Sequence, residues 1–325
     1  MKCNSLSSSR IKCYDMCEFK YMLDYHLALE QKKKWASENG TFCHEIYENL
    51  ADELKTGKGN PQTYETWFRQ TVEAYRHTRT ITNRFGKEEE IPPLWTLSEK
   101  ALKREKHCDD CKYYGDGNCF VVGKKIDSFQ GCPYDEFETS LWLIERVLED
   151  KGSLDLRKRR KIIDTERAFR CKIDDGTGGE ITINGVIDLI CEVDKETIEI
   201  EDYKTGNFTQ NPLESRRDMQ FLIYHMAARE QYPQYKWIFV TVHWLKRRSG
   251  RSPTFCFSDK DVQETKRKLI VDYHNIRNNE FPLRRCDRSN GKVEFDYVCK
   301  YMCDPDTCQK EWEKMIEKGG IEEDA

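Results

Sequence analysis

Asp188, Asp202 and Lys204 are the residues of this 325-residue chain whose types and placement point most directly to chemistry. Asp188 sits in the run Gly185-Val186-Ile187-Asp188-Leu189-Ile190. After a turn the chain continues Ile198-Glu199-Ile200-Glu201-Asp202-Tyr203-Lys204-Thr205-Gly206. Side chains alternate along an extended strand, so Ile198, Ile200, Asp202 and Lys204 share one face, and Glu199, Glu201 and Tyr203 share the other. The charges at 202 and 204 therefore continue an apolar row. Asp188 has Val186 and Ile190 on its own face, and a hairpin would gather both carboxylates and the lysine at the edge of the core. A carboxylate left alone there costs several kcal/mol, which either a divalent cation or a buried salt bridge offsets. The cation reading carries a reaction: the ion polarises a phosphodiester and activates water, and the ammonium orients the nucleophile or steadies developing charge. The salt-bridge reading carries none. Spacing alone leaves both standing, because a short Asp-x-Lys is common.

These strands need neighbours to hold them. The sequence predicts a helix from Ser8 to Leu29, then a break at Asn39-Gly40 and a second helix capped by Thr41 and running to about Leu54. In that helix Phe42, Ile46, Leu50 and Leu54 recur at helical spacing, and it carries His44. A third helix is expected over Tyr64 to His77, with a charged connector over Gly86 to Pro93. Residues His107 to Pro133 are turn-rich and without a sustained period. Helix returns over Asp135 to Asp150. Strands follow at Thr165 to Ile173, Glu180 to Val193 and Thr197 to Lys204, then a helix over Glu214 to Gln231. A strand from Trp237 to Leu245, a basic turn, a strand from Thr254 to Phe257 and a helix from Asp259 to about Asn278 complete the core, and a short helix is expected near Gln309 to Lys318. The expected division is an N-terminal helical part over 1–98, a cysteine-rich part over 99–135, a core over 136–280 and a C-terminal cysteine cluster over 281–325.

Four sequence elements in order resemble the RecB-type branch of the PD-(D/E)XK nucleases. They are Gly40-Thr41-Phe42-Cys43-His44, Gly185-Val186-Ile187-Asp188, Asp202-Tyr203-Lys204-Thr205-Gly206 and Gln220-Phe221-Leu222-Ile223-Tyr224. The resemblance implies an α/β fold with a central mixed sheet of the restriction-endonuclease kind and helices on both faces. It implies that Asp188, Asp202 and the Tyr203 carbonyl bind Mg²⁺ or Mn²⁺, that His44 adds a nitrogen ligand and that Lys204 is catalytic. Gln220 and Tyr224 would support the site or touch DNA. Glu201 falls on the wrong face by parity, and Glu166, on the preceding strand, is an auxiliary acid candidate.

Fifteen cysteines are many for a chain expected in a reducing compartment, and metal ligation accounts for them better than disulfides. Cys108, Cys111, Cys119 and Cys132 suit a closed tetrahedral Zn²⁺ site that would organise a segment with no core of its own, with His107 able to replace one thiolate. Cys299, Cys303 and Cys308 are one ligand short. The opening run from Ser9 to Tyr21 resembles that of the iron-sulfur members of the same family, including the CRISPR-associated adaptation nucleases. There one early cysteine joins three late ones around a [4Fe-4S] cluster, which implies Cys17 as the first ligand and a staple between the chain ends. The spacing departs from the family's usual Cys-x-x-Cys and five-residue gap, having gaps of three and four, so zinc stands as an alternative and Cys13 and Cys286 as reserve ligands. Cys43, Cys171, Cys191 and Cys256 read as core packing.

With 54 basic and 58 acidic side chains the chain has no global attraction for nucleic acid, so a polyanion must meet a local patch. Arg157 to Lys161 and the turn bearing Lys246, Arg247, Arg248 and Arg251 are the candidates, and the turn is favoured. No apolar run would span a bilayer, and the expected location is cytoplasmic, with no membrane partner. The expected function is a metal-dependent DNA nuclease, acting as an exonuclease on single strands or free ends in recombination, repair, replication or CRISPR adaptation, with repair, recombination or CRISPR-adaptation proteins as partners. Its rivals are a catalytically silent nucleic-acid-binding or assembly subunit and a sequence-specific endonuclease.

Overall fold

Strand pairing around the Asp188 and Asp202 segments fixes the architecture. In the computed structural model, described residues are 5–29, 35–56, 70–93 except 72, 76 and 83–85, 161–205, 215–245, 252–278, 286–287, 294–295, 305–317 and short strands between 105 and 130. The chain divides into two units, one formed by residues 33–169 and 186–258 and the other by 1–32, 170–185 and 259–325.

The first unit holds the part of the sheet formed by residues 161–169 and 186–256. Strands β9 (Lys161–Asp174), β10 (Glu180–Asp194), β11 (Thr197–Lys204), β12 (Trp237–Trp244) and β13 (Thr254–Cys256) follow β1 (Ser5–Leu6), two antiparallel pairs, β2 (Arg79–Thr82) with β3 (Glu88–Ile91) and β4 (Glu105–His107) with β8 (Ser128–Gln130), and the meander β5 (Tyr114–Gly115), β6 (Asn118–Cys119) and β7 (Lys124–Lys125). β10 and β11 run antiparallel from Asp194 opposite Thr197 to Leu189 opposite Glu201, β11 and β12 are parallel over their whole length, and β12 pairs antiparallel with β13. The sheet is therefore mixed. A parallel neighbour demands a crossover, and the buried helix Met219–Gln231 lies between β11 and β12 in the chain. Asp218 caps it, accepting from the Gln220 amide at 2.9 Å.

The helix bearing His44 runs from Trp35 to Thr56 without interruption. The expected break at Asn39-Gly40 is therefore corrected: Asn39 is buried, and Gly40 sits where an added Cβ would lie 3.4 Å from Thr205 Oγ1. Glycine here lies within the helix, where a Cβ would make an ordinary contact, and does not stop it. Phe42, Cys43, Ile46, Tyr47, Leu50 and Ala51 are all buried, the stripe expected of a helix laid on a sheet. The expected connector over Gly86 to Pro93 is also corrected, since Glu88–Ile91 pairs with Arg79–Thr82.

In the second unit the opening helix is not continuous. Helix α1 (Ser8–Met16) stops at Cys17, whose backbone is extended with φ −163° and ψ 111°. A four-residue turn of helix, α2 (Glu18–Tyr21), and a π-helical turn (Met22–His26) follow. Numbering on, the helix Trp35–Thr56 is α3, Met219–Gln231 is α4, Asp259–Arg277 is α5 and Pro305–Glu317 is α6. Phe19 and Trp312 meet edge to face at 5.5 Å, and Lys268 of α5 bonds Asp15 at 2.6 Å and Asp272 at 2.7 Å. β1 lies parallel to Thr182–Ile183, and β14 (Cys286–Asp287) pairs with β15 (Glu294–Phe295). Among the described residues no helix is long and apolar enough to cross a membrane.

Candidate active site

Asp188 and Asp202 lie one position beyond the last paired residues, Leu189 and Glu201, and so face the same side of the sheet. Asp202 is fully buried. Lys204 Nζ lies 2.7 Å from Asp202 Oδ2, and Gln220 Nε2 of α4 donates to Asp202 Oδ1 at 3.0 Å. Gln220 also accepts from Lys204 at 3.2 Å through its carbonyl oxygen and donates to the Tyr224 hydroxyl at 2.7 Å, so α4 fixes the orientation of both charged groups. Burial by itself would lower the Lys204 pKa, but Asp202 and Asp188 outweigh it and hold the ammonium above its ordinary range. Burial, reinforced by Asp202 and Asp188, pushes the Tyr224 phenol well up, so it stays protonated.

α3 approaches from the other side of β11, where Tyr47 meets the Tyr203 ring at 5.3 Å. One turn of helix away from Gly40, His44 Nε2 donates to the Tyr203 carbonyl at 2.8 Å, and its Nδ1 lies 3.5 Å from Asp188 Oδ2. The Tyr203 amide donates to the same Asp188 oxygen at 3.2 Å. Tyr203 thus places both ends of its main chain in the site while its side chain points away.

Glu166 joins this group: one ligand atom each from His44, Glu166 and Asp188 lies within 4.8 Å of the others. A concave pocket is lined by these residues with Tyr47, Glu48 and Tyr203. Burial pushes Glu166 up to about 7, with Asp188 adding to the shift and His44 opposing it. Burial and then Asp202 likewise raise Asp188, and burial with Asp52 and Glu45 raises Glu48. Four carboxyl groups, those of Glu48, Glu166, Asp188 and Asp202, gather here beside the Lys204 ammonium. Hard oxygens with one imidazole fit Mg²⁺ or Mn²⁺, and a divalent ion supplies positive charge.

These shifts set a pH dependence. Glu166 binds its proton more tightly folded than unfolded, so its contribution to stability is complete below the unfolded value of 4.5 and is lost as pH rises through about 7. In chelator the melting temperature should therefore fall between about pH 5 and 7.5. Mn²⁺, binding the ionised carboxylates of the folded state, should cancel the slope. Glu166→Gln should reduce it in chelator to the part that Asp188 contributes; an unchanged slope in that variant, measured by thermal melts, refutes the assignment.

The structure brings His44, Asp188, Asp202, Tyr203, Lys204, Gln220 and Tyr224 into one unit. Glu166 was the residue hardest to place from sequence. Its φ of 41° breaks the alternation of β9, in which Phe169, Cys171 and Ile173 are the buried positions, so parity cannot assign its direction. Glu48 stands four residues after His44 on the same helix face, a spacing that marks it in the sequence. Glu201 lies behind the strand, bonded to His243 and the Tyr203 hydroxyl. Cys108, Cys111, Cys132, Cys299, Cys303, Lys246, Arg247, Arg248 and Arg251 lie outside the described residues, and Cys119 falls in β6. Cys17 and Cys308 are buried in the other unit.

No curated protein matches the chain. A solved structure of an inferred exonuclease from Eubacterium rectale is similar at 13% identity and a TM-score of 0.43, over 94% of this chain and 88% of that one. The family model of the PD-(D/E)XK nuclease superfamily matches residues 5–114 and 128–307. Those spans contain the whole cluster around Asp188 and Asp202, and the chain belongs to that superfamily.

Proposed function

We propose that this chain hydrolyses DNA phosphodiesters as an exonuclease on single strands or exposed ends, in recombination, repair, replication or CRISPR adaptation. The observation that carries the reading is the convergence of His44, Glu166, Asp188 and the Tyr203 carbonyl beside the Asp202 and Lys204 pair. Asp188, Asp202, His44 and the Tyr203 carbonyl would hold Mg²⁺ or Mn²⁺, with Glu166 beside them. When bound, such an ion polarises the phosphate and lowers the pKa of water. Lys204 keeps its proton and presents positive charge to the phosphate oxygens, while Gln220 and Tyr224 limit its swing. Purified protein with Mn²⁺ and end-labelled single-stranded DNA tests this, with Asp188→Ala and Lys204→Ala beside it. Wild-type degradation lost in both variants is the expected result; equal degradation in all three preparations sinks the reading. Covalently closed circles should resist attack, and discrete fragments from them would mean an endonuclease.

The basic stretch with Lys246, Arg247, Arg248 and Arg251 comes soon after β12 in the sequence and is our choice for phosphate contact, judged by the salt dependence of binding after serine replacement. Cys108, Cys111, Cys119 and Cys132 are proposed to bind structural Zn²⁺. Cys17, Cys299, Cys303 and Cys308 are proposed to bind a [4Fe-4S] cluster, or zinc in its place. Support comes from the Phe19–Trp312 contact, since Phe19 stands two residues after Cys17 and Trp312 one turn after Cys308. Iron, sulfide and zinc analysis of anaerobically purified protein decides between the metals.

A further inference from the structure

The face of β11 turned away from Asp202 and Lys204 carries a buried polar network that the reaction does not use directly. Glu201 is fully buried and His243, opposite Tyr203 on β12, is 2% exposed. His243 Nε2 lies 2.9 Å from Glu201 Oε2, and its Nδ1 is 2.8 Å from Ser252 Oγ. The Tyr203 hydroxyl donates to the same Glu201 oxygen at 3.1 Å. Its ring stacks on the imidazole with centroids 4.9 Å apart and planes 22° apart, and Tyr47 closes on it from α3.

Burying a carboxylate beside an imidazole is a poor way to gain stability, because well-packed apolar side chains of similar volume usually do as well or better. A polar network is more readily explained where it fixes one geometry, and here the residue it fixes is Tyr203. The Tyr203 amide reaches Asp188 and its carbonyl reaches His44. A peptide carbonyl has no side-chain rotamer with which to adjust its aim. Its direction follows the backbone dihedrals, which here are constrained by strand pairing on one side and by the clamped ring on the other.

We propose that Glu201 and His243 are positioning residues: gripping the Tyr203 ring through its hydroxyl and its stacked face, they aim the Tyr203 carbonyl into the cation site. The proposal rests on the metal-dependent nuclease reading. Outer partners of metal ligands, when removed, typically cost 10- to 100-fold in metal affinity or activity, roughly the range expected here. Lost packing alone would lower the melting temperature and leave the ion's affinity as it was.

Three variants and their double mutant test it: Glu201→Gln, His243→Gln, Tyr203→Phe, and Tyr203→Phe combined with Glu201→Gln. Mn²⁺ affinity by calorimetry, kcat and KM on labelled single-stranded DNA, and melting in chelator are measured for each. Glu201→Gln and His243→Gln should bind Mn²⁺ about 10-fold more weakly and lose about 10- to 100-fold in kcat, with KM for DNA within about twofold. Tyr203→Phe, which removes a single oxygen and so retains the fold even if a buried substitution does not, should move in the same direction. The double mutant should be no worse than Glu201→Gln within about twofold, because both changes cut one connection. Folded variants with wild-type Mn²⁺ affinity and kcat, whatever their melting temperatures, overturn the positioning role while leaving the nuclease reading intact. A wild-type protein that neither binds Mn²⁺ nor cleaves DNA overturns both.

Discussion

Asp188→Asn should abolish Mn²⁺-dependent cleavage, lowering kcat by about a thousandfold or more, and at the same time make the metal-free protein melt at a higher temperature at pH 8. The loss follows from the position of Asp188, with a carboxylate oxygen within 4.8 Å of a ligand atom of His44 and one of Glu166. The gain follows from burial and the Asp202 carboxylate, which together disfavour its charge in the folded state. Asparagine keeps an oxygen to accept from the Tyr203 amide, so the bond at 3.2 Å need not be lost with the charge. The sign depends on pH. With the folded pKa above the unfolded one, the charged residue costs stability only once pH has risen past the ordinary carboxylate range, and the advantage of asparagine should fade on acidification. Steady-state kinetics and melts in chelator at pH 8 and pH 5 check both halves. An active variant removes Asp188 from the reaction, and a less stable one removes the charge argument.

Lys204→Ala should be equally inactive for practical purposes, down about 100- to 1,000-fold in kcat, but should shift stability the other way. Asp202 is fully buried and faces the Lys204 ammonium at 2.7 Å, so deleting the lysine strands a buried carboxylate. Breaking such a pair from one side costs about 3 kcal/mol, the lower end of the usual range being apt because Gln220 still donates to Asp202. Urea melts in chelator measure it. The two variants share one outcome in catalysis and oppose each other in stability, which a purely structural salt bridge does not produce: that arrangement predicts destabilisation with cleavage untouched. Retained activity in a destabilised Lys204→Ala would establish it.

The sheet was legible in the sequence because its signal is local and periodic. β11 keeps its predicted ends, Thr197 and Lys204, and the parity of Asp202 and Lys204 against Glu201 and Tyr203 is the parity of the structure. The helices were legible where an apolar stripe defines them, as over Phe42, Ile46 and Leu50. Three features were not. Gly40 reads as a stop in any local rule, and only tertiary contact shows that it lies inside a helix pressed against the segment after β11. Cys17 reads as helix interior, yet its backbone is extended between two helical pieces. Glu166 stands at a left-handed residue, and a strand that changes hand for one residue no longer counts its faces by twos. The charged stretch near Glu88 shows the same limit, since pairing with Arg79–Thr82 makes a strand that its composition does not announce.

The bare α-carbon of residue 40 has a consequence for how far an imidazole can reach. His44 stands one helical turn beyond it, about 6 Å along the axis, and touches the Tyr203 carbonyl at 2.8 Å, a distance with little slack. The gap between helix and strand has room for one added Cβ, 3.4 Å from Thr205 Oγ1, and little beyond it. A bulky replacement such as Gly40→Leu would act as a shim against Thr205, lifting the histidine by something like 1 Å. A misplacement of that size costs about 100-fold in rate, and circular dichroism should show the helix itself unharmed.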